Sequence, residues 1–296
     1  AQLGLGDAVA ANDAFEQAEK VDSYCCFPNR LEDVIVLNAA KCVNPQGARA
    51  PYYLGCLYYD KRQYDLAIEN WELSARLDPT FPTVWRCLAL ARFNKQNRPD
   101  EALEYMERAF HLDETDARML MELDQLYKRL HRPHKERFEF LQQHPALIQQ
   151  RDDLVLEEIT LLNQTGHYEE VMRKLDAHTF HPWEGGEGKV SAQYQICRIE
   201  MAKQLIAEGG VHYQKAKSLL EECLTYPLHL GEGKLYGAQE NDIYYLLGIT
   251  YKALGLKDEA TRYWELGTVG PTEPAAALYY NDAKPDKIFY AGLCYR

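Results

Sequence analysis

From Ala48 to Phe81 the chain reads ARAPYYLGCLYYDKRQYDLAIENWELSARLDPTF: helix, tight turn, helix and proline stop within 34 residues. Leu54, Gly55 and Tyr58 share one face of a first helix. Ala67, Trp71 and Ala75 recur at every fourth position of a second, and Leu77-Asp78-Pro79 closes it. A period of this length constrains the fold more than any other feature of the sequence. A single hairpin cannot bury its apolar face alone, so such units stack and cover one another. The side chains divide the work. Gly55 lets the two helices approach, Ala67 packs against it, and Trp71 fills the space toward the next hairpin.

These positions resemble the tetratricopeptide repeat (TPR). The resemblance implies an all-α fold, a right-handed α-solenoid of helix-turn-helix repeats. The pattern returns along the chain. Residues 82–116 copy it with Trp85, Leu88, Ala89, Ala102, Met106 and Ala109, and Leu112-Asp113-Glu114-Thr115 echoes Leu77-Asp78-Pro79-Thr80. Residues 117–150 and 151–178 are weaker copies, and 190–227 and 241–270 restore the pattern. Residues 1–45 read as part of a repeat and a connector. There Leu3 to Asp7 form a turn, Ala11, Phe15 and Ala18 lie on a second helix, and Leu31, Val34, Leu37 and Cys42 mark one more helix. Residues 285–296 read as the first helix of a further repeat, with Phe289, Gly292 and Tyr295 in register and no second helix after it. A solenoid normally ends in a polar cap, so the favoured reading is a single array truncated at both ends; the alternative is that residues 285–296 are themselves a short cap.

Bulk properties narrow the function classes. The formal charge is −12 and the pI is near 5.3, against the basic face that nucleic acid or an anionic membrane surface attracts. No apolar run is long enough to span a bilayer. Eight cysteines are present but no C-x-x-C pair; reduced, packed thiols in a cytoplasmic protein are the expectation. Nothing in the pattern implies a metal or a cofactor. His178 and His181, three residues apart, come without a partnering motif for zinc. No nucleophile elbow is present, and Asn163-Gln164-Thr165 matches a glycosylation acceptor only as a chance triplet.

Two loops depart from the repeat. One runs His181-Pro182-Trp183-Glu184-Gly185-Gly186-Glu187-Gly188-Lys189. The other runs His229-Leu230-Gly231-Glu232-Gly233-Lys234 and continues through Tyr236 to Asp242. Both contain Gly-Glu-Gly-Lys, follow a second helix and precede a first one, so they should emerge side by side. Neither is a P-loop, because the first glycine, the Ser/Thr after Lys and a preceding strand are absent. The candidates here are His181, Trp183, Glu184, Glu187, Lys189, His229, Glu232, Lys234 and Tyr236. Trp183 and Tyr236 offer stacking faces for a sugar, and Glu184, Glu187 and Glu232 offer carboxylates for acid/base work. The structural alternative is that glycines turn the loops, Glu and Lys pair locally, and Trp183 plugs a gap between helices.

The second candidate surface is the groove lined by first helices: Arg49, Tyr52, Cys56 and Tyr59 in the reference repeat, Arg86, Leu90, Phe93 and Asn94 in the next, and Arg118, Met121, Gln125 and Lys128 in the third. Aromatic and mildly basic, it suits an extended peptide or an acidic segment. TPR proteins that grip a C-terminal carboxylate use Lys and Asn where this chain has Tyr52 and Cys56, so that clamp is not expected. The alternative is a contact with another domain of the same chain, or with water only.

The stretches ARAPYYLGCLYYDKRQYDLAIENW, LDPTFPTVWR, HPWEGGEGKV and GEGKLYGAQENDIYYLLG are similar to the C-terminal TPR region of large bacterial proteins of unknown function. There the repeats follow β-rich domains resembling galactose mutarotase. The resemblance implies a carbohydrate-linked parent and transfers no catalytic residue to this chain. The sequence-level expectation is a non-enzymatic scaffold that binds a protein, a peptide or another domain of its own chain. The alternative is that the loops at 181–189 and 229–242 join a carbohydrate-active site.

Overall fold

The computed structural model describes residues 6–276 and 281–296; of the turn expected at Leu3–Asp7, residues 3–5 lie outside them. Sixteen α-helices and no strand occur among the described residues. The chain divides into two units, Ala1–Arg132 and Pro133–Arg296.

The first unit holds α1 (Ala8–Glu19), α2 (Leu31–Val43), α3 (Arg49–Asp60), α4 (Tyr64–Leu77), α5 (Pro82–Gln96), α6 (Pro99–Leu112) and α7 (Ala117–Arg129). The pairs α3/α4 and α5/α6 are the expected hairpins. Trp71 explains why Gly55 must be glycine: a Cβ there would lie 2.3 Å from the indole Cδ1. Trp71 Nε1 donates to the carbonyl of Tyr52 at 3.2 Å, so the ring is held as well as packed. The core of these hairpins is Tyr52, Ala67, Ile68, Trp71, Phe81, Val84 and Leu88.

The turn between α3 and α4 is a Schellman motif. Arg62 is left-handed (φ 62°); its N–H donates to Tyr59 O at 3.0 Å, and that of Gln63 to Tyr58 O at 2.8 Å. Together they satisfy carbonyls that a helix end leaves open. His131 (φ 57°) does the same after α7. The Asp-x-Thr after α4 and the one after α6 are Asx turns. Asp78 Oδ1 accepts from Thr80 N–H at 3.1 Å and its hydroxyl at 2.7 Å, and Asp113 accepts from Thr115 in the same way.

The α1–α2 region departs from the expected stripe. Leu31 is 71% and Ile35 73% exposed, Cys42 is exposed, and Val34 and Leu37 are only half-buried. Glu19, at the end of α1, instead caps α3. Its Oε1 accepts from the N–H groups of Ala48 (2.6 Å) and Arg49 (2.8 Å).

The second unit holds α8 (His134–Leu141), α9 (Pro145–Ile148), α10 (Asp152–Gln164), α11 (Tyr168–Ala177), α12 (Lys189–Glu208), α13 (Tyr213–Glu222), α14 (Asn241–Ala253), α15 (Lys257–Gly267) and α16 (Pro285–Cys294). Its core gathers Ile199, Ala202, Ala216, Leu220, Cys223, Ile243, Leu247 and Ala260. Gly248 and Trp264 repeat the Gly55–Trp71 relationship. A Cβ on Gly248 would lie 2.1 Å from Trp264 Nε1, which donates to Tyr245 O at 3.3 Å. Gly166 and Gly255, at φ 82° and 81°, make the Schellman turns after α10 and α14. Arg137 is buried with Glu157 at 2.7 Å. Helix α16 is seated on α14 by Lys287 and Asp242 at 2.6 Å, while Phe289 and Tyr295 remain exposed.

Candidate functional site

The two unusual loops meet in the second unit. The N–H of Phe180 donates to His229 O at 2.8 Å. Gly231 sits at φ +76°, with its Cβ position 2.5 Å from Phe180 O, so only glycine fits this crossing. Glu232 then spans from one loop to the other. Its carboxylate accepts from the N–H of Gly188 (2.9 Å), the N–H of Ser191 (3.2 Å) and the Ser191 hydroxyl (2.7 Å). It therefore caps α12 from outside, where the helix dipole and open N–H groups favour an anion.

The remaining loop candidates divide by exposure. His181 is anchored on Asp152, the first residue of α10: its N–H donates to Oδ2 at 2.7 Å, and its Nδ1 lies 3.1 Å from the same oxygen. His178 Nε2 holds the other oxygen at 2.7 Å. Burial pushes the Asp152 carboxyl up, but the hydrogen bonds from His178 and His181 outweigh it and hold the group below its ordinary value. Trp183 lies across Gly186, where a Cβ would meet the ring at 2.3 Å, so one face of the indole is already covered. Lys234 pairs with the buried Glu240, which also accepts from the hydroxyls of Tyr226 (2.9 Å) and Tyr244 (2.7 Å). Burial, followed by that carboxylate, pushes both tyrosines up. His229 is half-buried, 3.9 Å from Asp176. Glu184, Glu187, Lys189 and Tyr236 are exposed, Tyr236 at 90%. A cavity of about 250 Å³ opens between the loops beside His181, Pro182, Trp183, Glu187, Leu230 and Glu232.

The groove candidates separate in the first unit. Tyr52 is 5% exposed and packs edge-on to Phe81 at 4.9 Å, so it belongs to the core. Tyr59 lies against Tyr64 (5.1 Å) and Trp71 (5.3 Å), within the hairpin. Arg49 stacks on Phe81 at 3.7 Å and pairs with Asp78 at 3.2 Å. Arg86 grips Glu122 of α7 with two nitrogens, and Arg118 Nε donates to the same carboxylate at 3.0 Å. Phe93 is half-buried with Arg129 5.7 Å from its ring, and Gln125 lies beside Met121 Sδ at 4.0 Å. Asn94 is exposed and lines a separate cleft of about 500 Å³ with Arg62, Tyr64 and Lys95. The mildly basic groove is thus largely neutralised from within, most of all by Glu122.

Sequence reasoning did not single out Asp152, Glu240 or Glu122 for these roles. Asp152 and Glu122 gain theirs from partners 29 and 36 residues away, and no local signal points to such pairs. Among the described residues no group of three or more His, Cys, Asp or Glu side chains could hold a metal ion. No helix there is long and apolar enough to cross a membrane.

No family model matches the sequence. Among solved structures, the Naa15/Naa10 complex bound to HypK-THB matches over 88% of this chain at 12% identity, with a TM-score of 0.50; the chain spans 36% of that protein's length. YrrB, described as a TPR protein with an unusual peptide-binding site, is matched over 79% of this chain and 91% of its own at 12% identity, TM-score 0.42. A tetratricopeptide repeat protein from Parabacteroides merdae is matched over 100% and 95% at 14% identity, TM-score 0.41. The recurrence of one Gly–Trp closure in both units decides the type. The fold is of the tetratricopeptide class. The helices α3, α5 and α14 each open a hairpin, with α4, α6 and α15 as their partners, and the 181–189 and 229–242 loops connect α11 to α12 and α13 to α14.

Proposed function

We propose that this chain is a non-catalytic protein-interaction module, and that the first-helix face of α5 and α7 receives an acidic segment of a protein partner. The observation that carries the reading is the Arg86–Glu122–Arg118 cluster. Arg86 and Arg118 share the Glu122 carboxylate, and Arg118, the more exposed of the two, gives it only its Nε, so its remaining N–H donors face outward on a chain whose net charge is −12. Helical register places Leu90 and Phe93 on the same face as Arg86, and Met121 and Gln125 on that of Arg118. An apolar strip beside a cation suits a peptide that pairs a carboxylate with a large side chain. Selection of peptides from a random display library on the immobilised chain tests this. Enrichment of acidic sequences that lose binding to Phe93→Ala supports the reading; enriched sequences without acidic residues, or binding unaffected by Phe93→Ala, contradict it.

A second reading rests on the cavity of about 250 Å³ at the loop junction. The outer face of Trp183 and the exposed Glu184 and Glu187 would meet a sugar there, in line with a carbohydrate-linked parent protein. Glu232 and Lys234 are not available to it, since one caps α12 and the other pairs with Glu240. Glycan-array binding lost in Trp183→Ala would favour this reading; an empty array would remove it.

A further inference from the structure

Helix α2 is apolar on both of its sides. The inner side packs on α1 and α3, with Ala40 buried and Val34 and Leu37 half-buried. Helical spacing puts Leu31, Ile35, Asn38 and Cys42 in one stripe opposite Ala40, and all four are exposed. A helix that is apolar all round is one that other elements cover. The connector ahead of α2 adds the exposed Val21, Tyr24 (83%) and Phe27 (74%), and Val36 of α2 is exposed as well. Among the described residues, the other exposed large apolar side chains of the first unit are Val9, Leu66 and Leu112. Residues 21–36 therefore hold a concentration of apolar surface, not a scatter. Covered together, their six large apolar side chains would bury roughly 800 Å² per copy, the share that one partner brings to a stable interface.

We propose that this face joins two copies of the chain, with α2 of one packed antiparallel on α2 of the other. The stripe reads the same in both directions, since its steps are four, three and four residues, the spacing of a helix-pair seam. A second copy laid antiparallel sets Leu31 against Cys42 and Ile35 against Asn38 on both sides of a two-fold axis, as a closed dimer requires. Charge fixes the orientation. The first turn of α2 carries Glu32 and Asp33, and its last turn Lys41, which is bonded to the neutral amide of Asn70 at 2.8 Å. Antiparallel packing brings each acidic turn level with the other copy's basic turn and opposes the two helix dipoles; parallel packing would set like charges level. Glu32, Asp33 and Lys41 all lie off the stripe, so closure buries no charge at its centre. Asn38, the one polar member, donates its amide to Val34 O at 2.8 Å, and a single polar residue in a seam holds the register. The inference does not rest on the peptide face of α5 and α7.

Sedimentation equilibrium of the full chain tests the association. A species of twice 34.2 kDa is expected, and Ile35→Asp should weaken it about tenfold or more by placing a charge in the seam. Ile35 is exposed in the single chain, so this variant leaves the fold alone; should its helicity fall by circular dichroism, the next variant decides. Leu31→Cys, with Cys25 and Cys26 replaced by serine, tests the register. Positions 31 and 42 are 11 residues apart on one helix, about 16 Å, so a disulfide from the introduced sulfur to Cys42 must join two chains. Mild oxidation should give a covalent dimer whose digest contains that linked peptide pair. A monomer at every concentration, or a dimer that a folded Ile35→Asp leaves intact, overturns the proposal. So does oxidation that yields no covalent dimer, or one joined only from Cys42 to Cys42.

Discussion

Trp71 closes over Gly55 so tightly that the glycine has no room for a methyl group, the Cβ position lying 2.3 Å from the indole Cδ1. The same indole donates to Tyr52 O at 3.2 Å, one turn before the glycine. Gly248, Trp264 and Tyr245 reproduce this relationship in the second unit. The spacing from glycine to tryptophan is identical in both, because one helical hairpin of fixed length brings the two positions face to face.

Gly55→Ala and Gly248→Ala should each force an indole out of its seat and cost about 1–3 kcal/mol, the usual range for overpacking a well-filled core. Urea denaturation followed by tryptophan fluorescence measures it. An unchanged midpoint for both variants would show that the helices part freely and that the Gly–Trp closure does not hold the hairpin.

His131 occupies the left-handed turn after α7 at φ 57°, a conformation that costs most side chains energy. His131→Gly should relieve the strain and raise stability by about 1 kcal/mol. Gly166→Ala, at φ 82° in the matching turn after α10, should lower it. Thermal melts of the two variants in parallel check the signs; equal and opposite shifts in the wrong sense would refute the turn assignment.

Asp152 is held below its ordinary carboxylate value by His178 and His181. A carboxylate lowered in the folded state stabilises the fold above its unfolded value, and that contribution is lost as pH falls through the folded value. Asp152→Asn should therefore be less stable than the parent at neutral pH, with the gap closing below about pH 4, where the unfolded carboxyl is already protonated. Urea midpoints at neutral and acidic pH test this. A gap that widens on acidification would mean that the two histidines do not stabilise the carboxylate.

The fold was legible because its determinants are local. Leu54, Gly55, Ala67, Trp71 and Pro79 lie within one 34-residue period, and helix geometry converts that spacing into contact. The proximity of the Gly-Glu-Gly-Lys loops was legible for the same reason, since equivalent connections emerge together. What their side chains do was not. Glu232 reaches across 41 residues to Ser191, and composition cannot distinguish a helix cap from a ligand-binding carboxylate. Tyr52 was misplaced by register: it sits one turn from Gly55 on the face that Phe81 covers. The basic groove was overestimated because Glu122 neutralises it from the neighbouring first helix, 36 residues from Arg86.

The interaction face of α5 and α7 is tested most directly by calorimetric titration of a display-selected acidic peptide into the chain and into Arg118→Glu. The reversed charge should weaken binding about tenfold at low ionic strength, since opposed charges at an interface repel. The difference should shrink as salt screens it. Equal affinity for both proteins at low salt would contradict a role for the Arg86–Glu122–Arg118 cluster in partner recognition.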